Sequence, residues 1–373
     1  MKICMFSVGQ VLVNPTGGSK RFVELYKYLV KNNDVTLYSA DTQENFKKND
    51  MKNCFSLDFN KSKKNNIALD VFLKNQKVLQ QIKKEKYDKV IVFDVRAGIL
   101  LALKKIKNVV QFFRQDTIEY RKIILNESSN SKLKNYLIMK ILMFCEKLCI
   151  KNSTQLCVQC TYDLNNLIKR HPKFKNKLLN KCIVQINNVN PSWIVDKINM
   201  YDGNEKKYDI SFVGNFRDSR KGHDLLLKTI RNLYNNNIRY EVVIIGDGKY
   251  LEKYKNLYKD LSNIHFLGRL SNPIPTIKNS KLMVVPSYAD SCPNTVMEAL
   301  YYSVPVIGAN SGGIPEILND KDWIFDLNEK DLGKKIVDAF LKLDNLKKNQ
   351  ELRKKELEFN WAERVENKIR EGE

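Results

Sequence analysis

At 373 residues, with 43% hydrophobic and 28% charged residues, the chain has the composition and length of a globular protein of one large domain or two, which excludes a disordered chain. Its 64 Lys plus Arg outnumber 42 Asp plus Glu and leave a net charge of +22, a surface suited to polyanions: nucleic acid, anionic headgroups or phosphorylated substrates. No stretch approaches the ~20 apolar residues of a spanning helix, so a soluble or peripheral protein is expected.

The opening "MKICMFSVGQVLV" reads as a first strand, Ile3–Ser7. A secretory leader is disfavoured because Gly9 and Gln10 break the apolar run and no small-residue cleavage site follows. Next comes "NPTGGSKRF", with Gly17 and Gly18 between strand and helix. There, backbone N–H groups could face a phosphate, or the glycines could simply close a tight turn. "SKRFVELYKYLVKNN" sets Phe22, Leu25, Tyr26 and Leu29 on one helical face. Further strands are predicted at Val35–Ser39, Val90–Phe93, Val109–Phe113, Leu156–Gln159 and Ile183–Ile186, many of them separated by helical patterns.

Within this half, "SKLKNYLIMKILMFCEKLCIKN" reads as an apolar-basic helix, of the core or of a membrane surface. "KRHPKFKNKLLNK" reads as an exposed basic stretch carrying Lys169, Arg170, Lys173, Lys175, Lys177 and Lys181. Of the eight cysteines, Cys145 and Cys149 share a helix face while Cys157 and Cys160 flank or occupy a strand. Zinc would need four thiolates at one point, so buried free thiols in a reducing cytoplasm are expected. "NNVNPSWIVDKINMYDGNEKKYD", with Pro191 and Gly203, is the linker candidate.

A second series begins at Ile210: "DISFVGNF", "YEVVIIGDG", "IHFLG", "KLMVVPS", "VPVIGAN" and "DWIFDL". Short Val-, Ile- or Phe-rich runs ending in Gly, Pro, Asn or Ser are buried parallel strands whose carboxyl ends open onto a crevice. The chain is therefore α/β, two parallel sheets with a ligand cleft between them.

Two segments of this series could carry chemistry. "VGNFRDSRKGHDLLL" brings Arg217, Arg220 and Lys221 beside Gly214 and Gly222, and fixed cations can neutralise a departing diphosphate without a metal. A solvated basic loop would look the same. "DSCPNTVMEAL" sets Asp290 in a turn and Glu298 eight positions on, in the first turn of a helix starting near Thr295. Carboxylates accept paired hydrogen bonds from vicinal diols, as in ribose recognition. An ordinary helix start with favourable acids is the alternative.

In order and spacing, "SFVGNFRDSRKG", "EVVIIGDGKYLEKYK", "NIHFLGRLS" and "KLMVVPSYADSCPNTVMEALYYSVPVIGANSGGIPEIL" resemble the retaining nucleotide-sugar glycosyltransferases of family 4, within glycosyltransferase group 1. The resemblance covers about 150 residues strongly, and the first half more loosely through "NPTGGSKRFVELYKYL" and "STQLCVQCTYD". It implies the GT-B fold, two Rossmann-like domains facing each other across a cleft, and a core helix at "SKLKNYLIMKILMFCEKLCIKN" in preference to a membrane-surface one. Residues 1–195 with a returning helix, "WAERVENKI", at about 360–373 would form the acceptor side, and 205–355 the nucleotide-sugar side.

Carried over position by position, the resemblance puts Asp290 on the donor sugar hydroxyls, Glu298 on the ribose and Lys221 on the phosphates. The backbone amides of Asn294 and Thr295 would meet the donor, Gly18 would lie near the diphosphate, and Gly268 and Arg269 would border the base. Three positions depart from the family. Asn215 stands where an Arg is usual, which leaves Arg217 or Arg220 as substitute; the first acid is Asp, not Glu; and "QFFRQD", with Arg114 and Asp116, replaces a His on the acceptor side.

The expected reaction is transfer of a sugar from a nucleotide-diphosphate donor to an acceptor hydroxyl with retention, needing no cofactor and no metal. Expected partners are a nucleotide sugar, a glycan or lipid-linked acceptor and an anionic membrane surface, and no nucleic acid, at the cytoplasmic face of the cell membrane. Three alternatives stand beside it. A metal-dependent transferase would use "DKD" at Asp320–Asp322, a nucleic-acid-binding protein is suggested by the charge, and the third is a GT-B-like epimerase or a catalytically silent partner subunit, the silent case supported by Asn215.

Overall fold

A computed structural model describes residues 1–13, 16–59, 67–127, 131–191 and 207–372. Most of the linker candidate, 192–206, lies outside the described residues. The chain divides into two compact units, each built on a parallel sheet. Met1–Gln115, Lys132–Gln185 and Trp361–Glu373 form one; Asp116–Ser131 and Ile186–Asn360 form the other.

The first unit holds β1 (Lys2–Phe6), β2 (Asp34–Ser39), β3 (Cys54–Ser56), β4 (Lys89–Val92), β5 (Val109–Phe113), β6 (Gln155–Val158) and β7 (Cys182–Val184), in the order β3-β2-β1-β4-β5-β6-β7. Ile3 registers with Val35 on one side and Lys89 on the other, all parallel. Strands such as "KVIV" are buried along their whole length because helices cover both faces of a parallel sheet, so unbroken apolar runs mark them. The three-residue β3 goes unread in the sequence, since "CFS" shows no such run and two of its residues are exposed.

Helix Gly17–Leu29 buries Phe22, Leu25, Tyr26 and Leu29 as its periodicity predicts, and also Arg21, which is 0% exposed. Arg21 survives there through its ion pair with Glu24 at 2.9 Å and by stacking 5.2 Å from the ring of Trp361. Trp361 opens the C-terminal helix Trp361–Glu371, which packs on Gly17–Leu29 and is tied to β6 by Gln155 Nε2 donating to the Ile369 carbonyl at 3.1 Å.

One sequence expectation is corrected here. The stretch read as a core helix is the helix Lys132–Asn152, and Leu133, Tyr136, Leu137, Ile141 and Phe144 on it are exposed. Only its C-terminal end is buried, through Glu146, Cys149 and Ile150. Glu146 takes two hydrogen bonds from Arg170, at 2.9 and 3.0 Å, and lies 2.7 Å from His171 Nε2. Arg170 therefore does not join the exposed basic set, and Lys177 turns its amine to the Lys151 carbonyl at 3.1 Å. Cys145 and Cys149 lie on this helix and Cys157 in β6; all eight cysteines are unpaired as disulfides.

The second unit repeats the plan with β8 (Tyr208–Val213), β9 (Val242–Ile245), β10 (Ile264–Gly268), β11 (Ser280–Val285), β12 (Val306–Ala309) and β13 (Ile324–Phe325), ordered β10-β9-β8-β11-β12-β13. Its core joins Phe212, Ile244, Met283, Val296 and Ile307 among others. In both units the strand order reverses beside the first strand, which is where a doubly wound sheet leaves a crevice at its carboxyl edge.

Candidate active site

In the second unit the reversal falls between β8 and β11, and the loops that follow these two strands meet. The first loop ends in the tight turn Ser219–Lys221, capped by Asp218, whose carboxylate accepts from the Arg220 N–H at 3.1 Å. Gly222 closes the turn with φ +71° and begins the helix His223–Asn235. A Cβ on Gly222 would stand 1.8 Å from the Pro286 carbonyl oxygen, so only glycine permits the approach of the two loops.

That approach assembles the charges. Lys221 Nζ forms an ion pair with Asp290 Oδ2. Arg220 Nη1 donates to the Ala289 carbonyl at 3.0 Å and lies 3.4 Å from the same carboxylate oxygen. The Tyr288 N–H donates to the Arg220 carbonyl at 2.8 Å, which locks backbone to backbone. The Asp290 side chain is 15% exposed. Burial pushes its pKa up, but Lys221 and then Arg220 outweigh that and hold the carboxyl below its ordinary value.

The Gly-Gly turn after β12 supports Asp290 from behind. Gly313 N–H donates to the Asp290 carbonyl at 3.0 Å, and Ser311 Oγ donates to the Tyr288 carbonyl at 2.6 Å. Gly312, at φ +57°, lies so close that a Cβ would stand 2.1 Å from the Asp290 carbonyl oxygen.

The helix that follows runs Asn294–Tyr301, with Pro293 before it and no side chain capping it. The first amides of a helix have no partner inside it, so this end presents donors and the positive end of the helix dipole. Thr295 Oγ1 is buried with no hydrogen-bond partner among the described residues. Asn294 Oδ1 accepts from Asn187 Nδ2 at 3.3 Å. Glu298 is half-buried and is the helix's fifth residue, one residue further in than expected and just past the first turn, because the helix starts at Asn294.

Of the remaining candidates, Arg217 is exposed on the loop after β8, and its N–H donates to Asn215 Oδ1 at 3.2 Å. Arg220, not Arg217, is the arginine that reaches Asp290. Gly268, at φ +69°, and exposed Arg269 close β10, at the edge of the sheet. Gly18 belongs to the first unit, where it is the second residue of the helix that Thr16 caps.

The "QFFRQD" pair is split. Arg114 stays in the first unit, 5.5 Å from the Phe93 ring and 5.7 Å from that of Trp361. Asp116 opens the segment that joins the second unit, and its carboxylate caps the helix Thr117–Asn126.

That helix was not foreseen at the site. It packs on the turn Ser219–Lys221, where the Arg220 guanidinium sits 5.1 Å from the Tyr120 ring and Glu127 Oε1 accepts from the Ser219 N–H at 2.8 Å. The Asp116 N–H also donates to Ser291 Oγ at 3.2 Å. No local signal joins Glu127 to Ser219 across 92 positions. In the "DKD" triplet, Asp320 caps a short turn by accepting from the Asp322 N–H at 2.9 Å. Among the described residues no group of three or more His, Cys, Asp or Glu side chains could hold a metal ion.

Residues 197–357 match the family model "Glycosyl transferases group 1". An uncharacterized glycosyltransferase of Methanocaldococcus jannaschii is 27% identical over 68% of this chain and 63% of its own. A Campylobacter jejuni alpha-1,4-N-acetyl-D-galactosaminyltransferase acting on an undecaprenol-linked glycan is 28% identical over 35% of this chain and 37% of its own. The match thus spans less than two thirds of either relative's length. Among solved structures, Anabaena HepE in complex with UDP-glucose superposes at a TM-score of 0.67 and 14% identity, covering 100% of this chain and 98% of that one. The two doubly wound units have the GT-B fold, and residues 197–357 of the second are similar to the group 1 glycosyltransferases.

Proposed function

We propose that the protein is a retaining glycosyltransferase that moves a sugar, of hexose type, from a nucleotide-diphosphate donor to an acceptor hydroxyl. The observation that carries this is the meeting of Arg220, Lys221 and Asp290 at the strand-order reversal of a group 1 glycosyltransferase unit. On this reading Lys221 and Arg220 face the diphosphate, and the uncapped amides of Asn294 and Thr295 add donors. Asp290 takes the sugar hydroxyls and Glu298 the ribose; Gly268 and Arg269 border the base, and Arg217 adds positive charge.

The step breaks the bond from the anomeric carbon to the diphosphate oxygen and forms one from that carbon to the acceptor oxygen on the same face. The acceptor proton passes to the departing phosphate, whose growing charge the two fixed cations stabilise. Those cations do the work a metal ion would otherwise do, so turnover is expected to persist in excess chelator.

Support for the donor class comes from the UDP-glucose complex of HepE, and for a lipid-linked glycan acceptor from the undecaprenol-linked substrate in the C. jejuni enzyme's name. The +22 charge fits attachment to the anionic cytoplasmic face of a membrane, where such acceptors are held.

A thermal-shift screen across nucleotide sugars tests the reading. A ligand at 100 times its dissociation constant should stabilise by about 2.7 kcal/mol. A protein that ignores every nucleotide sugar yet binds nucleic acid in a steeply salt-dependent way is instead a nucleic-acid-binding protein. One that binds a donor but turns nothing over is a silent subunit.

A further inference from the structure

The helix Lys132–Asn152 carries an apolar stripe that the described residues of its own unit leave uncovered. Leu133, Tyr136, Leu137, Ile141 and Phe144 recur at helical spacing and are 53–68% exposed. A soluble protein rarely strings together large exposed apolar side chains without an occupant for them.

The flanks say what that occupant is. Lys132, Lys134 and Lys140 punctuate the stripe, and no acid occurs on the helix before Glu146, which is buried with Arg170 and His171. The neighbouring helices extend the character. Helix Val95–Leu103 packs against this one and against Ile67–Lys74, and they add exposed Leu103, Leu69 and Leu73. Among the described residues, no helix is long and apolar enough to cross a membrane.

An apolar stripe flanked by lysines fits the boundary of an anionic bilayer: the stripe enters the acyl region while the lysine stems reach up to the headgroups. A second copy of the helix fits poorly, since face-to-face pairing would bring the lysines together. We propose that Lys132–Asn152 lies in the plane of an anionic membrane and inserts Leu133, Tyr136, Leu137, Ile141 and Phe144 into it. The C-terminal end, pinned through Glu146, Cys149 and Ile150, fixes the rest of the unit to that surface. This deepens the membrane attachment in the proposed function by naming the element that makes it.

The test uses the full chain and the double variant Leu137→Glu with Ile141→Glu. Both side chains are exposed, so folding is not at stake, and the melting temperature confirms it. The wild type should sediment with vesicles of equal parts phosphatidylglycerol and phosphatidylcholine and little with phosphatidylcholine alone. The double variant should bind about tenfold more weakly or worse. Tyr136→Trp should shift its emission to the blue only with the anionic vesicles.

Equal binding of the double variant and the wild type overturns the proposal, as does absent vesicle binding at low salt. Loss of self-association in the double variant, with no vesicle binding by either protein, shows a protein interface instead. Nucleotide-sugar binding by thermal shift is read separately, so a failed membrane test leaves the donor reading standing, and the reverse.

Discussion

Lys221 and Asp290 are 69 positions apart and form an ion pair because the loops after β8 and β11 converge. The carboxylate also lies beside Arg220, so one acid faces two cations. Asp290→Asn keeps the shape and removes the counter-charge of Lys221, while Arg220 keeps, among the described residues, only Asp218, 4.0 Å away. It should cost about 1–3 kcal/mol of stability, visible in denaturant melts, together with most of the turnover. A variant with wild-type stability would show that the pair contributes nothing to the fold.

Lys221→Ala should slow transfer on the order of a hundredfold or more while leaving affinity for the free nucleoside little changed, since its proposed partner is the diphosphate. Steady-state kinetics beside nucleoside titration separate the two effects. Arg220→Ala should also slow transfer, and Arg217→Ala should do so less, because Arg220 alone of the two reaches Asp290.

Glu298→Gln preserves volume and removes charge. Weaker donor binding and a large loss of turnover are expected, with little change in melting temperature. Wild-type turnover in this variant removes Glu298 from the ribose.

Gly312→Ala places a methyl group where the Asp290 carbonyl oxygen stands and asks a non-glycine residue to hold φ +57°. The cost should be about 1–3 kcal/mol. Because the strain falls on the backbone of Asp290, donor affinity should fall too, measured by titration of the nucleotide sugar well below the melting temperature.

His223 is 1% exposed, with the rings of Phe216 and Tyr254 each 4.6 Å from its own, and neither ring nitrogen has a hydrogen-bond partner among the described residues. Burial pushes its pKa below 6.5, against the weaker opposing pull of Asp224, Asp218 and Glu127. The unfolded chain therefore takes up this proton first as pH falls. The stability is complete above the unfolded value of 6.5 and is lost as pH drops through it towards the folded one. Asp290 acts in a lower window: its depressed pKa contributes stability above the unfolded carboxylate value, which is lost as pH falls through the folded value. Wild-type protein should lose more melting temperature between about pH 7 and about pH 5.5 than His223→Leu does. Parallel curves would show that His223 titrates alike in both states.

Most strands were legible because buried parallel strands are local objects: "VIV", "VVQFF" and "VVII" are short β-branched or aromatic runs, buried along their whole length. The acids and cations of the site were legible as residues, through spacing and family resemblance. Their union was not, because a contact between Lys221 and Asp290 depends on strand order, and no residue between them encodes it. The same holds for Thr117–Asn126, whose place against the Ser219–Lys221 turn is decided by packing at Tyr120 and Glu127 far from any local signal. The helix Lys132–Asn152 shows the limit most sharply. Its apolar content is a property of the sequence, but whether a covering surface exists is a property of everything folded around it, and among the described residues none covers Leu133, Tyr136, Leu137, Ile141 and Phe144.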